Sequence, residues 1–345
     1  MTEADLVALP KAHLHLHLTG GMRHTTLIDL AERYGIRLPE RLVDEVSDDW
    51  RLLGWPRFQR LYDLARGVLR SPADIERLIR EIAEDEAANG SRWLELQITP
   101  TGYAARLGDL VTAMEVFCAA AAAAQAASGV GVRLIVAGNR TRPPWEAETL
   151  ARLAVRFAAD GVIGFGLSND ERQGSPETFA KAFRIARDGG LRAMPHAGEL
   201  LGADSVERTI RALEPVRIGH GVRAVEDADV MALLADRGIA CEVCPASNLA
   251  LGVFAEAADL PVSRLEAAGV PVVIAADDPL LFGASLVEQY VAVRDALGYS
   301  RADLARLAKA SITHSAMPPD LAQAAVADID RWLTEVSVPP ASVAT

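Results

Sequence analysis

The run Lys11-Ala-His-Leu-His-Leu-His-Leu-Thr-Gly20 places three histidines at alternate positions of a short apolar segment. A period of two is that of a β-strand, so His13, His15 and His17 are expected on one face and Leu14, Leu16 and Leu18 on the other. A neutral imidazole inside a strand carries polar nitrogens that need partners. A divalent metal ion suits two such rings at once. Other apolar runs end in equally polar residues: Pro195-His196-Ala-Gly-Glu199, Gly219-His220-Gly221 and Ala276-Asp277-Asp278-Pro279. Four of the seven histidines, His15, His17, His196 and His220, lie at such ends; His13, His24 and His314 are the others. Two rings from the first strand, the His196 ring and a carboxylate from the last would make a three-nitrogen, one-oxygen site suited to zinc. Zinc lowers the pKa of bound water towards neutrality without redox chemistry. Glu199, His220 and Asp278 are then free to move protons or hold a substrate. The Ala197-Gly198 turn lets a flat substrate ring approach the backbone closely.

These residues need a scaffold that gathers strand ends, and the rest of the chain supplies its rhythm. Apolar runs recur at 92–98, 130–137, 161–167, 191–195, 217–219, 239–244 and 270–275, with helical segments between them. With the histidine strand that makes eight, each followed by a helix. Strands buried on both faces with helical crossovers form parallel sheets, and eight such units close as a (β/α)₈ TIM-type barrel. Active sites of that fold lie at the C-terminal strand ends. Extra helices are expected after strand one and over 301–333, with 337–345 frayed. The segment 48–70 crowds Trp50, Leu53, Trp55, Phe58, Leu61 and Tyr62 around a Gly54-Trp55-Pro56 break. It reads as a helical excursion over the mouth, a lid or else a plain core helix.

Composition sets the bounds. The chain has 345 residues, half of them hydrophobic, and is expected to form one catalytic barrel domain over 1–345. Net charge is −12 with no Lys/Arg cluster, which argues against nucleic acid as partner. No leader is apparent in 1–9, and the Ala-rich stretch 118–127 is too short to span a bilayer, so no membrane partner is expected. Three cysteines point to a reducing, cytoplasmic setting. Cys241 and Cys244 form C-x-x-C within an apolar strand, where two small buried side chains are expected rather than redox chemistry or a zinc half-site.

Leu9-Pro-Lys-Ala-His-Leu-His-Leu-His-Leu18, Pro195-His-Ala-Gly-Glu199, Ile218-Gly-His-Gly-Val222 and Asp277-Asp-Pro-Leu280 together resemble the adenosine deaminase family of metal-dependent hydrolases. The resemblance covers nearly the whole chain, and the four motifs in this order are highly specific. It implies one zinc per chain held by His15, His17, His196 and Asp277. Glu199 would shuttle a proton to purine N1, His220 would orient and help deprotonate the attacking water, and Asp278 would hydrogen-bond N7. Hydroxide would add at C6 and ammonia would leave, giving a 6-oxopurine. His17, Thr19, Arg23, Asn169 and Gly198 would join Asp278 in binding the substrate.

The departures bear on which purine. Adenosine deaminases usually carry an aspartate where Thr19 stands, facing the ribose 5′-hydroxyl. Asn169 replaces a glycine whose N–H meets purine N3, Gln97 stands where relatives have an arginine, and His13 replaces a residue that is often acidic. His13 is read as a barrel-interior or supporting histidine, since four ligands already suffice. Losing the carboxylate removes a group that would repel an anionic 5′ extension, and Arg23 could pair with one. The expected substrate is therefore a 5′-modified adenosine such as 6-amino-6-deoxyfutalosine of a menaquinone route. Plain adenosine is the alternative, with adenine less expected. A different hydrolase on the same barrel, or a non-catalytic binding protein, would not need the His-Ala-Gly-Glu placement together with an intact ligand set.

Overall fold

The computed structural model describes residues 1–43 and 54–334. Eight parallel strands follow one another in chain order: β1 (Lys11–His17), β2 (Ser91–Ile98), β3 (Gly131–Asn139), β4 (Val162–Ser168), β5 (Arg192–Ala197), β6 (Arg217–His220), β7 (Ala240–Val243) and β8 (Val272–Ile274). The ring closes just beyond β8, where His17 N–H donates to the Asp277 carbonyl at 3.0 Å and Asp277 N–H to that of His15 at 3.1 Å. One of the expected metal ligands is therefore also the residue that seals the barrel, which ties its position to both neighbouring strands. The expected eight-stranded barrel is what the chain forms.

Runs such as Leu134-Ile-Val-Ala137 are buried on both faces because helices cover the outside. Leu94, Leu96, Leu134 and Val136 pack outward on Leu78, Ile79 and Phe117, and Ile218, Val243 and Ile274 do so on the opposite half of the barrel. The helix Pro72–Ala88 starts on a capping box, Ser71 with Asp74, with Pro72 in its first turn. The helix Leu110–Ser128 is longer than the Ala-rich run suggests, and by length and composition alone it could cross a membrane. Its Met114, Phe117 and Ala121 are buried in the outer layer. The tail forms the helices Arg301–Thr313 and Pro319–Thr334, while 337–345 fall outside the described residues.

Two expectations change. The pairing of β1 with β2 slips between His13 and Leu16, so strict alternation is broken. His13 pairs in register with Leu94, an outward residue, and its Nδ1 lies 2.7 Å from Glu86 of the helix Pro72–Ala88. It does not share a face with His15 and His17; its Nε2 instead accepts the Ala276 N–H and braces the turn before Asp277. Second, Gly54, Trp55 and Pro56, read as a break, belong to the helix Gly54–Arg66. Residues 48–53 of the expected excursion lie outside the described residues.

Candidate active site

The C-terminal strand ends surround a cavity holding about 560 Å³ of empty space, its open mouth included. His17, His196, Glu199, His220, Asp277 and Asp278 line its deep wall, with His15 fully buried behind. Beneath them the barrel is packed with charge. His15 Nδ1 lies 2.8 Å from Glu242, and Arg217 donates to both Glu242 and Glu95. Burial raises the pKa of Glu242, but Arg217 and His15 outweigh it and bring it down to about 2. The ionised carboxylate holds His15 in the tautomer with a proton on Nδ1, leaving Nε2 free to face the cavity.

His15 Nε2 finds no hydrogen-bond partner there. It lies 3.3 Å from Asp277 Oδ1, His17 Nε2 lies 3.2 Å from the same oxygen, and the His17 and His196 Nε2 atoms are 3.3 Å apart. One donor atom from each of His15, His17, His196 and Asp277 falls within 4.8 Å of the others. A tetrahedron with zinc–nitrogen bonds of about 2.0–2.1 Å has edges of roughly 3.3 Å. The donor set therefore fits zinc in ligand type and in spacing. Gly219 of β6 makes room for two of the rings: a Cβ there would fall 2.7 Å from His15 Cε1 and 3.1 Å from the His196 ring. His220 and Asp277 hold positive φ values of 63° and 64°, strain of the kind that gathers at functional sites.

Around this set lie the other polar groups. Asn248 Nδ2 is 3.2 Å from His220 Nδ1, which turns Nε2 of that ring towards Glu199 Oε1 at 3.7 Å and Asp277 Oδ2 at 4.0 Å. Burial pushes the His220 pKa down to about 3, so the ring is neutral at pH 7. Burial, then Asp277 and Glu171, raise the Glu199 carboxyl well above its usual range. Burial, then Asp277, do the same to Asp278. Asp278 Oδ1 is buried without a partner; it rests where a Cβ on Gly20 would stand, 1.9 Å away.

The loop that carries Glu199 is held from below. The Glu171 carboxylate accepts the N–H groups of Gly198, Glu199, Leu200 and Leu201 at 2.6–3.0 Å and the Ser205 hydroxyl at 2.6 Å. Arg140 donates to the His196 carbonyl at 2.5 Å. Neither residue stood out in the sequence, nor did Glu242, though a carboxylate inside the apolar run 239–244 demands a buried cationic or imidazole partner. The outer wall comes from the helix Gly54–Arg66, through Trp55, Phe58, Gln59, Tyr62 and Arg66, and from Asn169.

Three expected substrate contacts are not among the described residues that line the cavity. The Thr19 hydroxyl is buried 2.7 Å from Tyr103 OH. The Arg23 guanidinium is tied to Asp85 at 2.7–2.9 Å and Glu84 at 3.1 Å and borders a separate surface hollow. Gly198 is buried against Val206 and Gly221, below the cavity wall. Asn169 does line the cavity. Its backbone φ of 78° explains why glycine suits the position and why asparagine, which tolerates the left-handed region, can replace it.

A family model described as adenosine deaminase matches residues 10–332. The chain belongs to the adenosine deaminase family. A Streptomyces coelicolor protein provisionally named adenosine/adenine deaminase is 52% identical over 338 residues, 95% of this chain and 98% of its own. An aminodeoxyfutalosine deaminase of Acidothermus cellulolyticus is 36% identical over 300 residues, 84% of each chain. A solved amidohydrolase from Burkholderia ambifaria with bound zinc superposes with a TM-score of 0.85 at 28% identity, covering 96% of this chain and 93% of that one. The chain is a hydrolytic purine deaminase of a metal-dependent family.

Proposed function

We propose that the chain removes the exocyclic amine of a 6-aminopurine nucleoside, with one zinc ion per chain held by His15, His17, His196 and Asp277. The observation that carries this is the convergence of those donors beside Glu199, His220 and Asp278 at the floor of one cavity. Bound there, zinc lowers the pKa of a water towards neutrality and supplies a nucleophile at pH 7. Glu199, protonated in its buried loop, gives its proton to purine N1 and leaves C6 electron-poor. Neutral His220, with Nε2 towards the same spot, accepts a proton from the attacking water. The Asp278 carboxyl meets N7 and fixes the ring's orientation. After oxygen adds at C6, His220 passes its proton to the amine, which leaves as ammonia, and the C6 hydroxyl proton returns to Glu199 as the 6-oxo group forms. The free, buried Cys118, Cys241 and Cys244 support a reducing, cytoplasmic setting.

For the substituent on the purine we propose an anionic extension at the ribose 5′ position, as in 6-amino-6-deoxyfutalosine, over plain adenosine. The Acidothermus relative acts on such a compound by name, which supports this reading. Arg23 borders a separate hollow and is not the counter-ion. Arg66 is the one Arg or Lys among the described lining residues and takes that role, exchanging its exposed partner Asp63, at 2.5 Å, for the anion. A kcat/KM panel on adenine, adenosine, 5′-methylthioadenosine, S-adenosylhomocysteine and aminodeoxyfutalosine is the test. Arg66→Ala should lower kcat/KM for the anionic substrate roughly ten- to a hundredfold, the worth of one charge-assisted hydrogen bond, and leave adenosine nearly unchanged. Equal losses on both substrates, or a wild type fastest on adenosine, would reject the anionic reading.

The charged layer beneath the ligands should matter as well. Glu242→Gln leaves His15 without its anionic partner and is expected to weaken zinc about 10- to 100-fold, read by competition with a chromogenic chelator. Unaltered zinc affinity would separate Glu242 from the metal site.

A further inference from the structure

The turn 197–201 links two parts of the proposed chemistry: His196 before it belongs to the metal-binding set, and Glu199 within it carries the proton. Three neighbouring loops hold this turn. After β4, Glu171 accepts the Gly198 N–H on Oε1 at 2.6 Å, and those of Glu199, Leu200 and Leu201 on Oε2 at 3.0, 2.7 and 2.9 Å. After β6, the Gly221 and Arg223 N–H groups donate to the carbonyls of Ala197 and Gly198 at 2.9 and 3.0 Å. After β3, Arg140 donates to the His196 carbonyl at 2.5 Å. Successive N–H groups that point to one place form a concavity suited to an anion, and here a side chain of the same protein fills it. The Ser205 hydroxyl donates to Glu171 Oε1 at 2.6 Å and fixes the carboxylate in turn.

We propose that Glu171 is a positioning residue for the proton transfer, setting where the Glu199 carboxyl stands relative to the zinc ligands. It is buried and is not among the described residues that line the cavity, so it acts through the turn and not on the substrate. The inference rests on Glu199 being the proton donor, as proposed above. Glu199 is gripped at its own N–H and at the N–H groups on either side, which leaves its backbone little freedom. A second carboxylate oxygen is what the position needs. Glutamine would keep the shape but turn an NH₂ group on part of the set. A buried N–H that faces another donor is costly, and the turn would shift to find new partners.

The test is a double-mutant cycle on kcat, run on the panel substrate that wild type turns over fastest. Glu171→Gln should lower kcat about ten- to a hundredfold, since misplacing a catalytic group by about 1 Å can cost about 10²-fold. In Glu199→Gln no proton donor remains to be placed, and the same change should lower kcat less than about threefold further. A merely structural role would cost the same factor in both backgrounds. Ser205→Ala removes one bond to the carboxylate and leaves the four N–H contacts in place. It should lower kcat by up to about tenfold, the worth of one hydrogen bond, and again add little in Glu199→Gln. That variant decides if thermal melting shows that Glu171→Gln does not fold. Equal losses in the two backgrounds, an unaltered kcat in each variant that folds, or loss of bound zinc in Glu171→Gln would overturn the positioning role and leave the deaminase reading intact. Full kcat in Glu199→Gln would instead overturn the proton-donor reading, and this inference with it.

Discussion

Exhaustive chelation is expected to abolish ammonia release from every aminopurine, and stoichiometric zinc is expected to restore it. The reason lies in what the remaining residues can do unaided. Glu199 can protonate a ring nitrogen and His220 can accept a proton, but neither is a nucleophile placed to attack C6. Supplying hydroxide at neutral pH is worth several kcal/mol of barrier, so the loss should reach at least about 10³-fold. Melting provides a second readout. An ion that binds only the folded chain stabilises it by about 2.7 kcal/mol at a hundred times its dissociation constant. The stripped protein should therefore melt earlier and recover when zinc is added. Full turnover in protein shown by elemental analysis to be free of metal would remove zinc from the reaction. Rescue by zinc of a variant lacking two of His15, His17, His196 and Asp277 would move the site elsewhere.

Much of this site could be read from the chain because its residues stand at the ends of recognisable strands. Period two in Leu14 to Leu18, and polar residues capping the runs before His196, His220 and Asp277, locate the strand termini without any knowledge of distance. What could not be read depends on partners far away in sequence. Arg23 looked available for an anion, yet Glu84 and Asp85, some sixty residues later, neutralise it. His13 matched its neighbours in type and spacing, and only the slipped register against β2 turns it to the helix side. Register is set by pairing across strands, and one extra residue reverses every face assignment beyond it.

The buried charges form an intermediate case. Glu95, Arg217 and Glu242 each interrupt or open an apolar run, and a lone charge in such a place must be paired. The sequence shows that partners are needed; only the closed barrel shows that these three serve one another and, through Glu242, His15. Glu171 is different again. It stands in an ordinary polar loop after β4, and its role appears only because that loop passes beneath four successive N–H groups of the Gly198–Leu201 turn.

Glu199→Gln should preserve the fold and the metal and lose most turnover. The amide matches the carboxyl in shape, and the Glu171 carboxylate grips the loop through backbone N–H groups that the substitution leaves in place. A glutamine cannot, however, deliver a proton to N1, so the ring loses the protonation that makes C6 electrophilic in the transition state. Loss of a positioned acid–base group typically costs about 10²–10⁴-fold in rate. The split between constants separates this role from a merely structural one. A lost transition-state interaction lowers kcat and kcat/KM together, whereas a displaced loop would weaken substrate binding and raise KM. The zinc content should equal that of wild type, because Glu199 is not among the converging donors. Turnover near wild type, or a loss confined to KM, would take the proton delivery away from Glu199. The choice would then fall on Asp278, the other buried carboxyl on the deep wall whose burial favours its protonated form.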